Sequence, residues 1–144
     1  MNIRWTVAAA TMLTLAGCSS QPDGPALQKG ELVAGTAKIT VNGQDIGTTE
    51  AVQCMPAGSL TTISTGDQAS GITALISNKD ELTTEAVGIN NVGGFTGSYN
   101  AGLGGNAKVT MTGRTYDING TADGFNTANP SFRASGTFAI KVSC

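Results

Sequence analysis

The chain has 144 residues, a formal net charge of −2 and only 12% charged side chains, which gives room for one modest domain. Eight basic residues against ten acidic ones leave no basic footprint, so general nucleic-acid binding is excluded, and no run of charge offers a polybasic membrane patch. Twenty glycines and many threonines favour a compact β protein with tight turns over a helical bundle, because both residue types are poor helix formers.

Residues 1–17 read as a secretory signal. Arg4 and the amino terminus form a short basic start, and residues 5–17 carry no charge. That run is shorter than the roughly 20 apolar residues a spanning helix needs, and it fits the apolar core of a signal peptide. It ends in Leu15-Ala16-Gly17-Cys18, which matches the lipobox of bacterial lipoproteins. Small side chains at Ala16 and Gly17 let a signal peptidase reach the backbone. The Cys18 sulfur is then the nucleophile that takes a diacylglyceryl group, and cleavage makes Cys18 the new N-terminus. One acyl chain binds a bilayer only reversibly, whereas two or three hold a protein firmly. Loss of Arg4 with the signal leaves seven basic against ten acidic residues, a mature charge of −3.

Residues 18–36 are expected as a lipidated N-terminus and flexible tether, holding Pro22, Gly24, Pro25 and Gly30 among polar residues with no apolar period. Residues 37–144 are expected to form a β-rich extracytoplasmic domain. Ala37, Ile39 and Val41 alternate with Lys38 and Thr40, and Asn42-Gly43 follows as a hairpin turn, since both residues tolerate positive φ. The chain returns through Ile46 toward Val52 and Cys54. Residues 60–65 and 72–77 read as strands, and Val87 with Ile89 as a short one. Val109 and Met111 form another, Gly113-Arg114 turns the chain, and Tyr116 and Ile118 continue it. The clearest strand is the last, with Phe138, Ile140, Val142 and Cys144 on one face.

Three cysteines are present, an odd number for an exported chain. Cys18 takes the lipid, and the other two can pair. Cys54 continues the face of Val52, and Cys144 continues the apolar face of the last strand. A Cys54–Cys144 disulfide inside the core follows, in a compartment that permits it. The fold class expected is all-β: a small antiparallel sandwich or open barrel with one disulfide.

Several stretches resemble the mycobacterial lipoprotein antigens of the LpqH type. They are Asn90-Asn91-Val92-Gly93-Gly94 with Gly97 and Tyr99, then Gly105-Asn106-Ala107, then Tyr116-Asp117-Ile118-Asn119-Gly120-Thr121-Ala122 with Gly124, then Ala128-Asn129-Pro130, and the strand from Phe138 to Cys144. The likeness runs from about Lys38 to Cys144 and includes the lipobox. The tether departs from it, because it lacks a long Ser/Thr/Ala-rich stretch. The resemblance implies a lipid-anchored protein of the cell membrane, on its extracytoplasmic face, whose acylated N-terminus engages the host innate receptor TLR2. It also implies, less firmly, a carrier of a hydrophobic ligand, and it brings no catalytic residues.

The inventory for chemistry is thin. The chain has no histidine, so the commonest general base and metal ligand is missing. With Cys54 and Cys144 paired, no thiolate remains, and no serine lies in G-x-S-x-G or S-x-x-K. Gly102-x-Gly104-x-x-Ala107 superficially fits a dinucleotide fingerprint, but a β pattern follows it rather than a helix. Asp117, Asn119 and Asp123 suggest a calcium loop, yet Thr121 and Ala128 stand where an EF-hand needs ligands. No enzyme, cofactor or metal site is expected. Phe95 and Tyr99, in a glycine-rich stretch, allow two readings: a mobile lip over an apolar pocket, or a strand with glycine bulges and two core aromatics. The second is preferred.

Overall fold

The computed structural model describes residues 26–144. Its ten strands, in chain order, are β1 (Ala37–Val41), β2 (Gln44–Thr49), β3 (Val52–Ala57), β4 (Leu60–Gly66), β5 (Gly71–Ser77), β6 (Thr83–Val92), β7 (Phe95–Asn100), β8 (Ala107–Thr112), β9 (Thr115–Asn126) and β10 (Arg133–Ser143). The first turn forms for the reason its sequence suggests. Asn42 and Gly43 take φ of 52° and 75°, as a two-residue hairpin of the mirror-image type requires. The Asn42 amide oxygen also accepts the Thr137 N–H at 3.0 Å, which ties the turn to β10.

The strands make one antiparallel sheet in the order β2-β1-β10-β9-β7-β6-β5-β4-β3. The strand β9 organises it. One edge pairs with β10 from Thr115 to Phe125. The other edge is shared: Thr115 to Gly120 pair with β8, and Asp123 to Asn126 pair with β7. A β-bulge in β6 opposite β5 and another in its pairing with β7 sharpen the local twist, and the sheet curls into a nearly closed barrel. The two end strands are poor templates for a further strand. Pro56 removes a donor from β3, and a register shift interrupts β1–β2 pairing.

Alternation puts one face of each strand inside. The core gathers Ile39 and Val41 from β1, Ile63 from β4, Ile72 and Ile76 from β5, Val87 and Ile89 from β6, Ile118 from β9, and Phe138, Ile140 and Val142 from β10. Each such side chain contributes about 1.5–3 kcal/mol by leaving water. The all-β expectation, its antiparallel order and its single disulfide hold.

Part of the expected tether belongs to the domain. The Leu32 N–H donates to the buried Thr115 hydroxyl at 2.9 Å, Gly35 N–H donates to Ser143 C=O at 2.8 Å, and Ser143 N–H donates to Thr36 C=O at 2.9 Å. The Glu31 carboxylate accepts the Gln28 N–H at 3.0 Å and the Arg114 N–H at 3.2 Å. Residues 28–36 are thereby laid along the end of the barrel, between the β8–β9 turn and the end of β10. The absence of an apolar period hid this, because the segment is held by backbone bonds and one carboxylate.

Those same N–H groups, Gln28 first and Arg114 second, hold the Glu31 carboxyl below its ordinary value, and the Arg114 guanidinium adds to the effect. A depressed folded-state value means that the clasp is fully made above the ordinary glutamate range and is lost as pH falls through the lowered value. The Arg114 amide proton is therefore expected to titrate with a midpoint below that of a free glutamate. Glu31→Gln should abolish the titration, and an NMR pH series on that amide checks both.

Candidate functional site

The end of the barrel where residues 28–36 dock is also where the chain finishes. Cys54, midway along β3, is joined to Cys144 beyond β10, with Cα atoms 6.0 Å apart and 90 residues between them. The pairing is the expected one, but its depth is not. Cys54 is half-buried against the core, while Cys144 is exposed and Ser143 is buried in its place. Ser143 is bonded through its backbone to Gly35 and Thr36 of the docked segment and is buried there, and Cys144 stands beyond it at the exposed end of the chain. The disulfide is a strap near the rim that links strand β3, at one extremity of the sheet, to the middle of the sheet order. Beside it, the β8–β9 turn wraps Glu31. Gly113 takes φ of 57°, and any side chain there would strike the Glu31 carboxylate.

The expected lipid site, Cys18, and its lipobox residues Leu15, Ala16 and Gly17 lie outside the described residues. The other expected pair separates. Phe95 is wholly buried, with its ring inside the barrel, so it cannot form an accessible lip. The glycines around it explain this: Gly97 and Gly136 leave the space that the ring fills. Tyr99, four residues further along the same face, is half-buried and lines an open cleft of about 600 Å³. The cleft exists because β9 changes partner. Between the start of β6 and β8 no ladder forms, and Leu82, Thr84, Tyr99, Ala107 and Val109 line the gap. The Thr84 hydroxyl there is buried and has no hydrogen-bond partner among the described residues. A second concavity of about 840 Å³ lies across β3 to β7, rimmed by Glu50, Gln53, Asp67 and Asn90.

The acidic residues considered for calcium are otherwise engaged. Asp117 pairs with Lys141 at 3.6 Å and accepts the Asn119 amide at 2.7 Å. Asp123 accepts the Ser135 hydroxyl at 2.7 Å. Among the described residues, no three His, Cys, Asp or Glu side chains gather as a metal site would require. The Glu31 clasp was missed by sequence reasoning. Its only local signal is an acidic residue three positions after Gln28, which by itself says nothing about Arg114.

Comparison with known proteins places the chain in one family. The model of the Mycobacterium 19 kDa lipoprotein antigen family matches residues 30–144. The match begins within the docked segment, before β1. A putative lipoprotein of Mycobacterium indicus pranii is 39% identical over 143 residues, covering 96% of this chain and 97% of that protein. Lipoprotein LpqH of Mycobacterium tuberculosis is 37% identical over 108 residues, covering 74% of this chain and 68% of its own length. Lipoprotein LpqH of Mycobacterium avium is 38% identical over 112 residues, with 77% and 69% covered. The chain belongs to the mycobacterial 19 kDa lipoprotein antigen family.

Proposed function

We propose that this protein is a non-catalytic lipoprotein of the cell envelope, held at the extracytoplasmic face of the membrane by acyl chains on Cys18. The observation that carries this reading is Leu15-Ala16-Gly17-Cys18, placed where an uncharged run of signal-peptide length ends, in a chain whose family is one of lipoproteins. The mature chain then starts at Cys18, and the barrel is an exposed, strapped module carried by the anchor. The empty catalytic inventory supports the absence of enzymatic chemistry: no histidine in the chain, both barrel cysteines oxidised, and Asp117 and Asp123 committed to local bonds.

The acylated N-terminus also accounts for a host-facing role, since a receptor such as TLR2 would meet lipid rather than the barrel. Mass spectrometry of the mature protein is expected to show acyl groups on Cys18. Cys18→Ala is expected to release the protein from the membrane fraction and abolish its activity in a TLR2 reporter assay. A bare Cys18 thiol, or reporter activity kept in the Cys18→Ala protein, overturns the reading. A carrier of a hydrophobic ligand is the second reading, and the cleft beside Tyr99, lined in part by Leu82, Ala107 and Val109, favours it. It ranks lower because the interior is filled by a continuous cluster of apolar side chains, which leaves a ligand only open surface concavities.

A further inference from the structure

We infer that the clasp end of the barrel rests on the bilayer itself, with Leu27, Val33 and Met111 dipping among the lipid head groups. This inference takes the acylation of Cys18 from the preceding reading and adds which surface of the domain meets the membrane.

The first argument is the number of residues between the anchor and the clasp. Glu31 fastens the polypeptide to the β8–β9 turn through Gln28 and Arg114, so the leash runs from Cys18 only to Gln28. Ten residues span no more than about 35 Å even at full extension. Without the clasp the next attachment is Leu32, whose N–H donates to Thr115, four residues further from the anchor. The opposite end of the barrel lies a full β10 away from Ser143, and 11 residues of strand measure about 36 Å. The anchor on Cys18 is therefore held within reach of the clasp end, which sits nearer the lipid surface, while the far end, with the Asn42-Gly43 turn and the loop before β10, is directed outward.

The second argument is the surface at that end. Leu27 and Val33 are about half exposed or more, at 52% and 61%, and both belong to the docked segment or adjoin it. Met111, 44% exposed, stands two residues before the β8–β9 turn that Glu31 wraps. Exposed apolar side chains at a membrane boundary gain by entering the head-group region, the more so when an acyl anchor already holds them there. The charges nearby are mixed. Glu31 is satisfied by two N–H donors and Lys141 is paired with Asp117, while Glu81 and Glu85 stand beside Val109 and Thr110 on the flank of β8. Lys29, with no ion-pair partner among the described residues, can meet a lipid phosphate. Two exposed apolar side chains lie elsewhere: Leu103, 82% exposed in the loop between β7 and β8, and Phe132, 74% exposed in the loop that precedes β10 at the far end, which is the rival for the inverted orientation.

The chain's one tryptophan, Trp5, leaves with the signal, so the mature protein is dark at tryptophan wavelengths and single reporters are clean. The acylated protein carrying Val33→Trp, Met111→Trp or Phe132→Trp would be placed in phosphatidylcholine vesicles containing acyl-brominated lipid. The three sites are already exposed, and tryptophan's own taste for interfaces biases all three equally. Val33→Trp and Met111→Trp are expected to shift to the blue and lose most of their emission to the bromines, while Phe132→Trp stays unquenched. Quenching of Phe132→Trp alone overturns the inference. So does a protein that floats with the vesicles yet shows no quenching at any site, because the anchor would then be sound and the docking wrong. A protein that fails to float overturns the acylation reading and this inference with it.

Discussion

Replacing Cys54 and Cys144 together by alanine is expected to remove about 4–5 kcal/mol of stability, more than most single core substitutions. The chain-entropy argument gives that figure for a closed loop of 90 residues, because the reduced unfolded chain regains the freedom to separate its ends. The loop encloses β4 to β10, and the strap holds β3, which otherwise has a neighbour on one side only. Loss of the bond frees β3 to peel away from β4, and Cys54 leaves its half-buried place against the core. A domain of this size has only about 5–15 kcal/mol in total, so the variant should sit close to the edge of folding at 37 °C. Urea unfolding of the oxidised and the double-alanine proteins measures the difference. The rim position makes a second outcome follow: Cys144 is exposed, so reduction by a small thiol should proceed without prior global unfolding. A loss below about 1 kcal/mol would show that the strap does not constrain the unfolded chain as the loop-closure argument requires.

What was legible in the sequence was local or periodic. Asn42-Gly43 announces its turn because both residues can adopt positive φ, and they do. Phe138, Ile140 and Val142 announce an inward face because the side-chain period of a strand is two. The pairing of the cysteines followed from the same parity. Its depth did not, because the backbone bond from Ser143 to Thr36 lays the docked segment along the end of β10 and leaves Cys144 exposed beyond it. That bond joins residues over 100 positions apart, and nothing near either one foretells it. The docking of residues 28–36 was hidden for a similar reason. Glu31 looks like a solvated acid until the Gly113-Arg114 turn, more than 80 residues later, is folded around it. Strand order was also out of reach, since β1 and β10 meet from opposite ends of the domain. The glycine-rich stretch offered a usable signal: an aromatic residue with glycine two places on, as in Phe95 and Gly97, suits a ring lying over bare backbone on one face of a strand.

That ring carries the other large effect, and the glycines beside it make the effect testable. Phe95 is wholly buried at the point where β7 joins β9. A methyl group on Gly97 would come within 2.7 Å of the ring, and one on Gly136 within 2.8 Å. Both glycines have ordinary φ, so space is the constraint there rather than backbone handedness. Between them, a methyl on Gly124 would collide with the Thr96 carbonyl, which shows how closely the β7 and β9 backbones approach. Phe95→Ala is expected to cost about 3–5 kcal/mol, because the lost contacts leave a cavity floored by glycines that cannot collapse to fill it. Gly136→Ala is expected to cost about 1–3 kcal/mol by overpacking. If the Phe95 ring is the reason, the costs must couple. In a Phe95→Leu background the added methyl on Gly136 meets a smaller, flexible side chain, and the double variant should be more stable than the sum of the single losses implies. A double-mutant cycle followed by urea unfolding gives the coupling directly. Strict additivity would mean that Gly136 is required by the Asn42 amide oxygen, 2.9 Å from the same methyl position, and not by the aromatic ring.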